Sequence, residues 1–381
     1  MNFLWSSDHV AYRQRVRDFI ATHLPSDWAR ASGCYDVGSP YVTDFARRFC
    51  PALAREGLLV PHWPRAHGGQ DADAWHHWIL NEEMLRAGEP RGYQYMSVNW
   101  AGPALIRFGS DDQKRAFLPR IAAGEMFFCQ GFSEPEAGSD LAALRTRAVR
   151  DDNGYRISGQ KIWTSAASFA DVCILLARTG GEGRDGISVF LVPMESPGIT
   201  VRVIPGFQGV RAFHEIFFDD VPVPETALLG EENKGWSVVG AILHNERIGL
   251  PRYILSLLGL DAAIVWLQVR DRLDAIAQDR AESARAACEA ARLQCYKVIA
   301  GRVAGEPPTA ETSLARYSLV MADRMVAEFL GDYLMEAIVG ADEPLIAAAY
   351  RRTAATGIAS GTAEVQLNLI ARQYLRLPRA A

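Results

Sequence analysis

Residues 132–140 read FSEPEAGSD. Small residues after an extended run leave backbone N–H groups free. Ser133 and Ser139 add hydroxyls beside Gly138, a combination suited to cradling an anionic cofactor and equally at home in a plain solvent loop. The stretch KIWTSAAS at 161–168 offers an aromatic face at Trp163 and a hydroxyl at Ser165. Such a pair can stack beside a flat heterocycle and hydrogen-bond to its ring; the plain alternative is a core Trp followed by a turn Ser. Two other patterns point elsewhere. GGEGRDG at 180–186 contains G-x-G-x-x-G, but a strand-like run (ISVFLVP) follows it where a phosphate-binding helix should begin, so it reads as a hairpin loop. His62, His67, Asp71, Asp73, His76 and His77 are metal-ligand types, yet no tight spacing repeats among them and no metal site is expected.

Three zones of different period must position these residues. The chain up to about residue 123 reads as helices. Ser6 or Ser7 can cap a segment with Val10, Val16, Phe19 and Ile20 on one face, and Ser110-Asp-Asp-Gln113 is a capping box. From 124 to 233 short β-rich runs alternate with turns: YRISGQKIWTS, DVCILLART, ISVFLVP, ITVRVIPG and HEIFFDDVPVP, with DDNG at 151–154 as a hairpin turn. Beyond 234 long Ala/Leu/Arg-rich segments of helical period suit a bundle, with GEPP at 305–308 as a linker.

Composition limits the function classes. The 381 residues exceed one average core, 49% are apolar and 22% charged, and the net charge is −5. That balance gives no electrostatic case for nucleic acid or an anionic membrane, and no apolar run reaches the roughly 18–20 residues needed to cross a bilayer. The first residues lack a charged start followed by an apolar stretch, so no secretory signal is expected. Six scattered cysteines (34, 50, 129, 173, 288, 295) without a C-x-x-C argue against a disulfide framework. A reducing bacterial cytoplasm is the expected location.

In order and spacing, GSDDQKRAFLPRIAAGE (109–125), FSEPEAGSDLAALRTRA (132–148), YRISGQKIWTSAASFAD (155–171), PGITV (197–201), FFDDVPVP (217–224) and LLGEENKGW with NERIG (228–249) resemble the acyl-CoA dehydrogenase family. The likeness covers residues 1 to about 250 well and the remainder more weakly. It implies an α+β fold: an N-terminal helical domain (1–123), a middle β domain (124–233) and a C-terminal four-helix-bundle domain (234–381). It implies FAD between the last two, across a subunit interface of a dimer or tetramer. The implied reaction oxidises an acyl-CoA thioester to the 2,3-enoyl-CoA, electrons leaving to an electron-transfer flavoprotein. By position, Phe132 and Ser133 border the flavin ring, Gly138 and Ser139 lie at FAD phosphate or substrate, and Trp163 with Thr164 flanks the isoalloxazine. Ser165 replaces the family's usual threonine at flavin N5, and Thr362 also falls on the cofactor side. Arg247 and Gly361 fall on the substrate side.

This reaction needs a base at the α-carbon. In much of the family the base is a glutamate at the position of Ser360, within GIASGTAEVQ (357–366). A serine hydroxyl without its own base cannot remove an unactivated α-proton at neutral pH. Its backbone N–H can still stabilise the enolate oxygen, as the family implies. Glu246, in LHNERIGLP, is the expected replacement, because one branch of the family carries its base in this Glu-Arg motif. Burial would raise its pKa and strengthen it as a base, and Pro251 would distort the helix expected over 246–268. A structural Glu246–Arg247 ion pair is the plain alternative, and Glu364 is a second candidate base.

Two family motifs are missing. VRDRLDAIAQDRAESARAA lacks the Arg-x-x-Phe-Gly pattern, and MEAIVGADEPLIAAAY (335–350) lacks Gln-x-x-Gly-Gly-x-Gly. In the family both hold a neighbour's FAD, so their loss points to the heteromeric branch, whose members often act on bulky acyl-CoAs such as steroid side chains or dicarboxylates. A homo-oligomer with altered FAD contacts, a non-catalytic partner subunit, and a flavin oxidase or monooxygenase are the competing readings.

Overall fold

The computed structural model describes residues 5–32, 36–207, 209–306, 309–340, 343–353 and 356–378. Cys34, Pro307 and Pro308 of the expected linker, and Ala341 and Asp342 of the 335–350 stretch lie outside the described residues. In chain order the helices are α1 (Ser7–His23), α2 (Trp28–Ala31), α3 (Pro40–Arg55), α4 (Ala74–Arg86), α5 (Gln94–Met96), α6 (Gly102–Phe108) and α7 (Asp111–Ala122). Seven strands follow: β1 (Phe128–Gly131), β2 (Arg147–Asp151), β3 (Gly154–Thr164), β4 (Val172–Arg178), β5 (Ile187–Pro193), β6 (Ile199–Gly206) and β7 (Gly209–Val223). The chain then returns to helix: α8 (Gly235–Arg247), α9 (Tyr253–Val269), α10 (Ala275–Val303), α11 (Glu311–Gly340), α12 (Pro344–Thr353) and α13 (Ala363–Leu369). The α, β, α order read from periodicity is the order of the fold.

Local chemistry sets these boundaries. Ser6 accepts from the N–H of His9, and Ser110 with Gln113 closes a reciprocal capping box at the start of α7. In α1 the buried face is Tyr12, Val16 and Phe19, whereas Val10 is exposed. Tyr12 takes the place expected for Val10, because the larger ring continues the i, i+4, i+7 stripe toward Val16 and Phe19. A single helix over 246–268 does not form. Pro251 has no N–H and lies two residues beyond Gly249, so α8 stops at Arg247 and α9 starts at Tyr253.

The chain packs into two compact units that cut across the three segments. One comprises Met1–Tyr35, Ala72–Glu89 and Glu246–Ala381, and the other Asp36–Asp71 and Pro90–Asn245. In the first, α10 lines its inner face with Ala277, Ala281, Ala284, Cys288, Ala291 and Cys295, small residues at alternating three- and four-residue spacing that let helices approach closely. Leu260, Ala263 and Leu267 of α9, Leu319, Val326 and Phe329 of α11, and Ile346 of α12 share that core. Within the same unit Arg13 of α1 reaches Glu82 of α4 at 2.6 Å and also pairs with Glu83.

In the second unit the strands form one sheet in the order β1-β4-β2-β3-β7-β6, with β5 pairing β4. β1 runs parallel to β4, and β4–β5, β2–β3, β3–β7 and β6–β7 are antiparallel. Asp151 pairs with Gly154 across the DDNG turn, and the 180–186 segment is the β4–β5 hairpin loop, as expected. β1 and β2 extend the set of strands quoted from the sequence. All five described cysteines are free.

Candidate active site

The FSEPEAGSD loop leaves β1 and is fastened by its own glutamate. Glu134 is buried, and its carboxylate accepts from the N–H of Arg145 (2.6 Å), the N–H of Thr146 (2.9 Å) and the Lys161 ammonium (2.8 Å). Lys161, fully buried on β3, also donates to the carbonyl of Phe132 at 3.0 Å. Burial raises the proton affinity of Glu134, but Lys161 and the donors around it outweigh that, and its pKa lies below the usual carboxylate range. Desolvation pulls Lys161 down to about 8 against the attraction of Glu134. The pair is charged at neutral pH.

That anchor leaves the rest of the loop presented outward. The Phe132 ring is buried and Ser133 half-buried, with the Ser133 carbonyl accepting from the N–H of Ile162 at 2.9 Å. Gly138 and Ser139 are exposed, and a Cβ on Gly138 would meet nothing within 4 Å. At the end of β3 a bulge between Lys161 and Thr164 puts Trp163 at φ 60°. The residue is 57% exposed and its ring has Phe213 edge-on at 6.0 Å, so one large aromatic face is unspent. Thr164 is buried with Oγ1 unpartnered among the described residues, and Ser165 is half-buried. His214 donates from Nδ1 to the carbonyl of Thr164 at 3.1 Å and accepts at Nε2 from Ser168 at 2.8 Å, which pins the turn after the tryptophan. Phe132, Ser133, Gly138, Ser139, Trp163, Thr164 and Ser165 thus lie in one unit, joined through Lys161. An open glycine, an unspent indole face and an orphaned threonine hydroxyl fit a flat anionic cofactor such as FAD.

The other group of expected residues lies in the helical unit. Glu246 and Arg247 end α8, and Ser360 and Gly361 form the turn entering α13. Ser360 Oγ donates to Glu246 Oε1 at 2.8 Å. No Glu246–Arg247 ion pair forms among the described residues; Arg247 is half-buried, and desolvation holds its pKa below the ordinary value. Desolvation also raises the Glu246 pKa, against the Ser360 hydroxyl and the charges of Arg252, Arg316 and Arg247. Arg316, buried on α11, donates Nη2 to the carbonyls of Thr356 (2.7 Å) and Ala359 (2.9 Å) and so fixes the turn. Among the described residues the N–H of Ser360 finds no acceptor. Thr362 is engaged as the cap of α13, accepting from the N–H of Val365 at 3.2 Å. Glu364 is exposed in the first turn of α13, with a pKa below the usual range through local backbone and Thr362 contacts.

Glu134, Lys161 and Arg316 are residues that motif and spacing do not single out. A charge at an inward strand position, or on the apolar face of α11 between Ala315 and Leu319, was the available signal. The histidine cluster changes membership: His9, Asp73 and His76 come together, with Asp73 accepting from His9 at 3.2 Å and from His76 Nδ1 at 2.7 Å. These donors are spent on one another and on capping α4.

Three family models match the chain: acyl-CoA dehydrogenase N-terminal domain over residues 6–125, middle domain over 129–221 and C-terminal domain over 233–375. The chain belongs to the acyl-CoA dehydrogenase family. Acyl-CoA dehydrogenase FadE34 of Mycobacterium tuberculosis is 36% identical over 86% of this chain and 46% of its own length. Bovine mitochondrial short-chain specific acyl-CoA dehydrogenase is 30% identical over 98% of this chain and 91% of its own. The chain spans about half the length of FadE34 and 63% of acyl-CoA dehydrogenase IpdE1 of the same bacterium. Among solved structures, the Tcur3481-Tcur3483 steroid ACAD superposes with a TM-score of 0.86 at 28% identity, covering both chains completely. The ChsE4-ChsE5 complex from Mycobacterium tuberculosis gives a TM-score of 0.86 at 30% identity, again over all of both chains. Acyl-CoA dehydrogenase-family folds thus account for the whole chain. No helix among the described residues is long and apolar enough to cross a membrane.

Proposed function

We propose that the chain is a FAD-dependent acyl-CoA dehydrogenase that desaturates the α,β bond of an acyl-CoA thioester, with Glu246 as base. The observation that carries this reading is the Ser360–Glu246 pair. The hydroxyl of Ser360 lies on the Glu246 carboxylate, while its N–H finds no acceptor among the described residues. The thioester carbonyl would accept that N–H, stabilising the enolate as Glu246 removes the α-proton. A base needs a proton affinity near the working pH, and withdrawal from water moves Glu246 in that direction. Glu364 is exposed with a lowered pKa, both against it as the base.

Phe132, Ser133, Gly138, Ser139, Trp163, Thr164 and Ser165 would hold the cofactor: the indole against its ring, the hydroxyls at its polar edge and the glycine backbone near phosphate. By resemblance to the family, Thr362 is proposed for the cofactor and Arg247 and Gly361 for the substrate. Bound there, FAD would take up the hydride leaving the β-carbon. An electron-transfer flavoprotein is the proposed acceptor. The test is the visible spectrum of the FAD-loaded protein, purified together with its partner subunit where FAD loading needs one, under nitrogen with an acyl-CoA panel. A yellow protein that bleaches with one substrate, at a rate falling about 10²–10⁴-fold in Glu246→Gln, is expected. Undiminished bleaching in that variant refutes the assignment of the base.

A second reading concerns assembly. The stretches 269–287 and 335–350 lack the motifs that hold a neighbour's FAD in the family, and the similar structures include the Tcur3481-Tcur3483 steroid ACAD and the ChsE4-ChsE5 complex. We therefore place the chain as one subunit of a heteromer acting on a bulky acyl-CoA. A chain that is colourless alone and gains FAD only with a co-expressed dehydrogenase-like partner would support this; a yellow homo-oligomer would overturn it.

A further inference from the structure

Ser360 occupies a conformation that an ordinary residue avoids. Its φ is 58°, followed by Gly361 at 84°, and two successive left-handed residues turn the chain sharply before α13. Left-handed backbone is disfavoured for a residue with a Cβ, so the surroundings must impose it. They do so at several points. The buried Arg316 guanidinium holds the carbonyls of Thr356 and Ala359, the N–H of Ala363 donates to the carbonyl of Gly357 at 3.0 Å, and Thr362 caps α13. The result aims one hydroxyl at Glu246 Oε1, 114 residues away in sequence.

We infer that Ser360 is a positioning residue for the base: its hydroxyl fixes the Glu246 carboxylate and stabilises it as the anion, held in place by the turn that Arg316 clamps. The inference rests on the desaturase reading and adds a role for a side chain that cannot itself remove the proton. The charged groups facing Glu246 are Arg247 on α8, Arg252 before α9 and Arg316 on α11, and Asp323 of α11 opposes the two latter arginines. None of these makes a hydrogen bond to the Glu246 carboxylate among the described residues. The Ser360 hydroxyl is thus the donor whose loss changes the balance between burial and anion stabilisation. A donated hydrogen bond favours the charged form, so its removal moves the carboxyl titration upward.

The experiment titrates Glu246 in the FAD-loaded protein by infrared difference spectroscopy, the carboxyl band being assigned by its loss in Glu246→Gln. Ser360→Ala is expected to raise the midpoint by about one pH unit, with the acidic limb of the flavin-bleaching profile rising by the same amount. Ser360→Gly, which suits the left-handed turn, is expected to shift both equally and guards against misfolding of the alanine variant. A midpoint unmoved within about 0.3 unit in both variants overturns the inference and leaves Glu246 as base untouched. Bleaching of Glu246→Gln at the wild-type rate instead removes the base, and the positioning role with it.

Discussion

Two glutamates withdrawn from water hold their protons in opposite ways. Glu134, on the loop after β1, faces a buried ammonium and two backbone N–H groups, and its pKa falls. Glu246, at the end of α8, receives among the described residues one hydroxyl and longer-range attraction from three arginines, and its pKa rises. Burial pushes both upward, and only at Glu134 do the number and charge of the donors outweigh it. A carboxylate with its lone pairs occupied fastens a loop; one with few donors is available to take a proton.

The largest effect is expected from breaking the first of these. Lys161→Met leaves Glu134 buried without its counter-charge, at a cost of about 3–5 kcal/mol, read as a fall in the urea midpoint. FAD retention should fall as well, since Lys161 ties Phe132 to the strand that carries Trp163. Pairing Lys161→Met with Glu134→Gln sharpens the comparison: removing both charges should recover much of the stability. If the double variant is as unstable as the single, the loop depends on shape rather than on the ion pair.

The second effect concerns the turn around the other glutamate. Arg316→Met orphans the carbonyls of Thr356 and Ala359 and should cost about 1–3 kcal/mol. It also removes one cation from the surroundings of Glu246, so the acidic limb of the bleaching profile should rise. A variant that loses stability with that limb unchanged would mean Arg316 serves the turn alone.

How much of this was legible in the sequence follows from the reach of each interaction. The strands could be read because alternation is local, and the Ser110 capping box because its partners are three residues apart. In α1 the sequence offers Val10 where the fold buries Tyr12, since a helical stripe gives a direction but not which neighbour fills the space. The break at 248–252 was foreshadowed by Pro251, though as a distortion rather than an end. The Glu134–Lys161 pair spans 27 residues, the Arg316 clamp 40 and the Ser360–Glu246 bond 114. No periodicity links residues at such distances. Resemblance to the family singled out Glu246 and Ser360 separately, and only the folded turn, with its left-handed serine, joins the two.

The smallest prediction is the most discriminating between the two glutamates. A carboxyl whose folded pKa lies above its unfolded value of about 4.3 stabilises the fold fully only below that value, and this contribution is lost as pH rises through the folded pKa. Glu246 is such a group. Glutamine at 246 cannot ionise, so it avoids the cost of holding a charge away from water while keeping the acceptor for Ser360. Glu246→Gln should therefore be more stable than the wild type by about 1 kcal/mol at pH 8, the gain shrinking to nothing near pH 4, as read from paired urea midpoints. Glu134→Gln should move the opposite way, because its lowered pKa makes the charged form stabilising above about pH 4 and that stabilisation disappears in acid. If both variants are destabilised equally at pH 8, Glu246 is a structural carboxylate like Glu134, and the division between fastening and proton transfer fails.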